Sequence, residues 1–151
     1  KISNCGMLAM DTMRMESGFL HWGHDISPEE NQYEAGLDFT ISYKKKIDFI
    51  GKKALLKIKE KKQKKKLITL SLEKSEPGKP LLLHDEPIYL DDKIIGRTTS
   101  GNYSFNYNKN LSFGYVNTDN TLKELCNKNL FIEVEKKKYK AKIEINPLNK
   151  S

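Results

Sequence analysis

The residues best equipped for chemistry in this 151-residue chain crowd into one stretch, Asp11–Leu37. Its centre is Arg14-Met15-Glu16-Ser17-Gly18-Phe19-Leu20-His21-Trp22-Gly23-His24-Asp25. It holds the only tryptophan, two of the three histidines and one of just two arginines, beside Glu16 and Asp25. These residue types divide the work of gripping a small molecule. An arginine forks onto a carboxylate. An indole offers a flat wall with one polar edge. A histidine carries or passes a proton near neutral pH. The stretch therefore reads as part of the floor of a small-molecule site. Each residue also has a plainer role open to it. Arg14 could salt-bridge a carboxylate within the fold, Trp22 could pack at least partly buried in a core or interface, and His21 could make a structural hydrogen bond. His21 and His24 would share a helix face, but Gly18 and Gly23 argue against a helix there. No Cys/His cluster has zinc spacing, so no metal site is predicted.

The elements that would position these residues follow from patterning. Ser3–Glu16 reads as a helix capped by Ser3 or Asn4 and ended by Gly18, with its methionines as core contacts. Phe19–Asp25 reads as a short extended segment. Ser27-Pro28-Glu29-Glu30 is a capping box that starts a helical turn, and Glu34–Leu37 closes it. Asp38–Tyr43 alternates apolar and polar residues as a strand does. A second helix is predicted over Lys52–Glu60 after Asp48-Phe49-Ile50-Gly51, with Ala54, Leu55 and Ile58 on its apolar face. The lysine run Lys59–Lys66 is the clearest composition shift and reads as a linker between two parts.

From Leu67 onward the pattern is β. Strands are predicted over Leu67–Glu73, Pro87–Leu90, Lys93–Thr99, Leu111–Val116, Asn129–Glu135 and Tyr139–Ile145. Glu76–Pro80 is a turn cluster, and Thr98–Gly101 reads as a barrel turn approaching the first part of the chain. Tyr103, Phe105 and Tyr107 alternate as on one strand face, for packing or, alternatively, for stacking bases. Short strands at this spacing, with no long helices between them, predict a small closed antiparallel barrel. The fold class is thus α+β and β-rich.

The totals narrow the partners. An apolar fraction of 37% supports a core, and no run of about 18 apolar residues is present to span a membrane. Cys5 and Cys126 fit no metal spacing; they could make one disulfide, but read rather as free buried thiols of a reducing compartment, here the cytoplasm. The formal charge is +7, but it is carried almost wholly by lysine, whereas nucleic-acid readers favour arginine. The lysines read as a solvated surface or a rim that attracts an anionic small ligand. As a membrane or nucleic-acid tag the lysine run would need aromatic or arginine company, so no membrane partner is predicted.

Several ordered motifs carry a family resemblance. Ala9-Met10-Asp11-Thr12-Met13-Arg14-Met15-Glu16-Ser17-Gly18 resembles a helix of the glycine-cleavage T-protein (aminomethyltransferase) family. His21-Trp22-Gly23-His24-Asp25, followed by Glu34-Ala35-Gly36-Leu37, is similar to the C-terminal half of dimethylglycine and sarcosine dehydrogenases. Asp48–Leu55 and Gly96-Arg97-Thr98-Thr99-Ser100-Gly101 match in the same order. The resemblance implies that residues 1–60 end a folate-binding domain and that residues 61–151 form a C-terminal Greek-key barrel. It implies tetrahydrofolate as the carrier that accepts a one-carbon unit from a methylated amine. FAD would be held by an N-terminal domain outside this sequence, and the catalytic aspartate region would lie upstream too, so no catalytic residue is assigned here. Folate pairs flat rings with an anionic tail, and Arg14, His21, Trp22 and Phe39 are the predicted cofactor-binding residues. Phe39 stands where the family carries an aromatic. The family often has an arginine where this chain has Met10, which sets one family contact aside. The expectation is a fragment of a folate-dependent N-methyl amine dehydrogenase, inert alone. A stand-alone aminomethyltransferase is the second reading, and a nucleic-acid-binding barrel the third, to be tested by oligonucleotide titration across a salt series.

Overall fold

Residues 3–145 are described by the computed structural model. Six strands build the molecule: β1 Lys65–Leu72, β2 Pro87–Leu90, β3 Lys93–Ser104, β4 Lys109–Asn117, β5 Leu130–Val134 and β6 Lys137–Glu144. They pair antiparallel in the order β1-β4-β3-β2-β5-β6, and β6 returns to β1 to close a barrel. Closure leaves no sheet edge unpaired. The predicted barrel is therefore present, with β3 running five residues further than its pattern suggested.

Alternation explains the interior. In β1 the side chains of Ile68, Leu70 and Leu72 are buried and belong to one core with Ile88, Val116, Leu130 and Ile132. The opposite face of β4 carries Leu111 and Phe113 outward, where Met15, Leu20, Leu67 and Tyr107 cover them. The β5–β6 hairpin turns on Glu135 and Lys136, both at positive φ, the backbone that a tight two-residue hairpin needs. Gly96 is packed so closely that a Cβ there would meet Tyr115 O at 1.9 Å.

Helix α1, Met7–Glu16, lies against β3 and β4. It begins at Gly6 with no side-chain cap, not at Ser3 or Asn4, and it ends at Ser17 before Gly18, which sits at φ 75°. The chain then turns through His21–Ile26. The Ser27 amide and hydroxyl both donate to the Glu30 carboxylate. The capping-box contact forms there, but around a turn with no helix after it. Asp38–Tyr43 is not a strand: Asp38–Thr40 is one 3-10 turn, with the Thr40 hydroxyl donating to Leu37 O. Alternation alone cannot make a strand where no partner strand lies alongside.

Helix α2, Lys52–Lys59, follows Gly51 at φ 90° and buries none of its residues. The predicted lysine linker is shorter than expected, because Lys65 and Lys66 already belong to β1. The short helix α3, Leu122–Leu125, went unpredicted. Its capping box is complete between Thr121 and Glu124, but its single turn is too short to show a period. Cys5 and Cys126 are free thiols, yet both are exposed, not buried.

Candidate functional site

Asp25 is the hub of the chemical stretch. Its carboxylate is fully buried. It accepts from Arg14 Nη1 at 2.7 Å, from the His21 amide at 2.9 Å, from Thr99 Oγ1 at 2.6 Å and from Ser100 Oγ at 2.7 Å. A buried carboxylate is tolerated only when paired and saturated with donors in this way. The four donors come from α1, from the following turn and from β3, so one side chain ties three elements together. A register shift in β3 between Thr98 and Ser100 lets Thr99 and Ser100 both reach Asp25. Thr98–Gly101 is thus strand, not turn, although it does approach the first part of the chain as predicted.

Arg14 is as heavily committed as its partner. Nε donates to Asp11 at 2.9 Å, Nη1 also to Phe19 O at 3.3 Å, and Nη2 to Ser100 Oγ at 2.9 Å. Of the five N–H bonds of a guanidinium, four find acceptors among the described residues, which leaves one on Nη2. The guanidinium also stands 6.0 Å above the Phe113 ring. Glu16, two residues on at the end of α1, accepts from the Ser104 hydroxyl and from Asn106 Nδ2, which pins that end to the β3–β4 turn. That turn takes Tyr107 out of the expected common face, while the Tyr103 and Phe105 rings still meet edge-on with centroids 5.0 Å apart. Tyr103 ends in β3, while Phe105 is exposed in the turn and Tyr107 packs toward Met15 and Phe113.

A second charged contact anchors the neighbouring loop. Lys65 Nζ lies 2.6 Å from Glu30 Oε1 and 4.8 Å from the Tyr115 ring. Burial pushes the Glu30 carboxyl up, but the hydrogen bonds and charge of Lys65 and the Ser27 donors outweigh it, and the group titrates below its usual range. Beneath the same loop the Tyr115 hydroxyl is buried and has no hydrogen-bond partner among the described residues. Burial, with the charges of Glu30, Asp25 and Glu34, raises its pKa.

Two hollows flank this arrangement. The first, about 260 Å³, lies between α1, the His21–Asp25 turn and β3, and Arg14, His21, His24 and His84 all border it. The His21 and His24 rings stack with centroids 4.5 Å apart, brought together by the turn and not by a helix. The second, about 610 Å³, is largely apolar and is bordered by Phe19, Leu20, Leu37, Phe39 and Phe113. The four predicted site residues are thus divided. Arg14 and His21 face the first hollow, and Phe39, 80% exposed, rims the second. Trp22 borders neither and is 64% exposed, so its expected burial does not occur. Asp25, Thr99 and Ser100 escaped the sequence reading as one unit. Only the Gly96–Gly101 motif hinted that small residues lie close to another segment there.

Known proteins resemble this chain in sequence and in fold. The family profile described as "Glycine cleavage T-protein C-terminal barrel domain" matches residues 65–150, and one described as "GCVT N-terminal domain" matches residues 1–45. The mitochondrial dimethylglycine dehydrogenase of Rattus norvegicus is 37% identical over 147 residues, 97% of this chain and 16% of that protein. An aminomethyltransferase of Listeria welshimeri is 37% identical over 149 residues, 99% of this chain and 39% of that protein. The glycine cleavage system aminomethyltransferase T from Bartonella henselae superposes with a TM-score of 0.78 at 23% identity, over 94% of this chain and 38% of that one. That last likeness is one of fold. The chain spans well under half the length of each of these relatives.

Proposed function

The chain belongs to the glycine cleavage T-protein family, and on that footing we propose that it supplies part of a tetrahydrofolate-binding surface in one-carbon transfer. Residues 1–60 end the folate-binding part and residues 61–151 are the barrel that braces it. The one-carbon donor is a methylated amine of the dimethylglycine or sarcosine kind, oxidised by an FAD-bearing part of a longer polypeptide. A stand-alone aminomethyltransferase is the second reading, supported by the Listeria relative at 37% identity over 99% of this chain, beside the rat dehydrogenase at 37% over 97%.

The observation that carries the proposal is the open aromatic rim of the larger hollow. Its volume of about 610 Å³ falls in the range of about 300–1,000 Å³ usual for small-molecule sites. Phe19 and Phe39 leave most of their ring surface free beside it. A pterin or aminobenzoyl ring finds a flat wall there. His21 and the exposed indole of Trp22 offer further ring surface on the neighbouring turn. Arg14 holds that turn through Asp25 and offers its one uncommitted N–H. Positioning the folate nitrogen for attack is the chemistry such a surface contributes. Calorimetric titration of the chain with tetrahydrofolate tests this. Binding should weaken about fivefold in Phe39→Ala, a loss of about 1 kcal/mol for one aromatic contact. Phe39 is exposed, so the variant keeps its fold. Equal binding by the variant, or none by either protein, would remove the assignment.

A further inference from the structure

Three consecutive hydroxyl side chains, Thr98, Thr99 and Ser100, lie in β3 where its pairing with β4 slips. Thr98 is in register with Gly114 and Ser100 with Phe113, which leaves Thr99 as the extra residue. A regular strand points successive side chains to opposite faces, and a bulge is what lets two neighbours share one. The extra residue interrupts the ladder and adds nothing to closure of the barrel. Its contacts lie outside the barrel.

On one side, the Thr99 and Ser100 hydroxyls both donate to Asp25 Oδ1, while Oδ2 accepts from Arg14 and from the His21 amide. Two donors on each oxygen fill the carboxylate, so Asp25 is an anchor and not a base. Ser100 is fixed in turn: its carbonyl accepts from the buried Ser112 hydroxyl of β4 at 2.8 Å. On the other side, the buried Thr98 hydroxyl donates to the Glu86 carboxylate and accepts from the Glu86 amide at 2.9 Å. The Asp85 amide donates to Thr98 O, and the Thr98 amide to Glu86 O, each at 2.9 Å. Glu86 Oε1 accepts from the Leu83 amide at 2.8 Å. These bonds hold Asp85 at φ 64°, in the left-handed region that few side chains adopt, with His84 beside it. Gly101 tightens the grip, because a Cβ there would meet Leu82 Cγ at 2.7 Å.

The two anchored segments are the two walls of the smaller hollow. Asp25 closes the turn that bears His21 and His24, Glu86 closes the loop that bears His84, and Thr99, Ser100 and Gly101 lie between them. We propose that Thr98, Thr99 and Ser100 are positioning residues. Acting through Glu86 and Asp25, their hydroxyls set the spacing of the histidine-bearing walls and hold the His21–Asp25 turn in the orientation that tetrahydrofolate meets. These bonds are internal to the chain and Asp25 is fully buried, so the hold does not depend on what lies against the outer surface. The effect on folate rests on the proposed function; the hold on the turn does not.

Trp22, the only tryptophan, sits in the held turn and reports on it directly. Time-resolved fluorescence anisotropy of the intact chain should show faster local motion of Trp22 in Thr99→Val/Ser100→Ala. Thr99→Ser, which keeps the hydroxyl, should restore the parent decay. The His84 ring resonance should shift in Thr98→Val. Tetrahydrofolate affinity, read by calorimetry well below the melting temperature, should fall about tenfold in the double variant and be kept in Thr99→Ser. Thr99 is only half-buried, so Thr99→Val alone carries the comparison if circular dichroism shows the double variant unfolded. An unaltered Trp22 decay in a folded variant, or an unmoved His84 in Thr98→Val, would overturn the hold on the walls. A loosened turn with unaltered affinity would overturn the positioning role. Absence of tetrahydrofolate binding by the parent chain would instead remove the folate reading, and the anisotropy would still decide for or against the hold.

Discussion

Asp25→Ala strips one buried acceptor from four donors at once, two hydroxyls, an amide and the Arg14 guanidinium, which is left with Asp11 as its carboxylate partner. Losing one side of a buried charged contact costs about 3 kcal/mol. Asp25→Ala should therefore lower the urea midpoint sharply. It should also free the His21–Asp25 turn, seen as broadened resonances for Trp22 and His24. Unchanged stability would mean that water replaces the carboxylate. Glu30 gives a pH signature of its own. Its folded pKa lies below the usual value near 4.5, so its stabilising contribution is complete above about pH 4.5 and is lost as pH falls through the folded value. The stability gap between the protein and Glu30→Gln should be widest near neutrality and close on acidification, as read from urea midpoints between pH 7 and 3. At this scale the sequence was informative about residue types and silent about their pairing. Asp25 was visible as an acid in the stretch, but its hydroxyl donors lie more than 70 residues away in β3.

Among the elements, the barrel strands were legible because each has a partner on both sides and a one-sided core, which writes a period of two into the chain. Gly96 shows how tight that pairing is. A methyl there would collide with the backbone of Tyr115 and Val116, which cannot swing aside as a side chain could. Gly96→Ala should cost about 3 kcal/mol, a fall in melting temperature on the order of 10 °C for a protein of this size, read by thermal circular dichroism. A shift of only a degree or two would show that β3 and β4 separate more easily than their register implies. The misread elements each lack a different part of the signal. Asp38–Tyr43 has the period of a strand and no neighbour to bond. α3 has a neighbour and a cap but is too short to show a period. The helix at the start was found, yet its first turn was placed too early because Ser3 and Asn4 look like caps and Gly6, the true boundary, contributes only its backbone.

On the scale of the whole molecule, the chain divides into a closed barrel and a first third that covers little of itself. Among the described residues, eleven of the seventeen large apolar side chains left exposed lie before residue 57. Hydrogen exchange should follow this division. The amides of Ile68, Leu70, Phe113 and Val116 should exchange orders of magnitude more slowly than those of residues 41–64, which bury no side chain fully. Uniform protection would mean that the first third is as cooperative as the barrel. The sequence by itself determined the closed β architecture, the family and the stretch rich in chemistry, because periodicity, motif order and residue type are local properties of the chain. Only the tertiary structure decided that Arg14 faces inward to Asp25, that Phe39 and Arg14 border separate hollows, and that Thr99 and Ser100 reach the same carboxylate. Those are relations across space, set by which surfaces the barrel offers and which side chains find a partner on them.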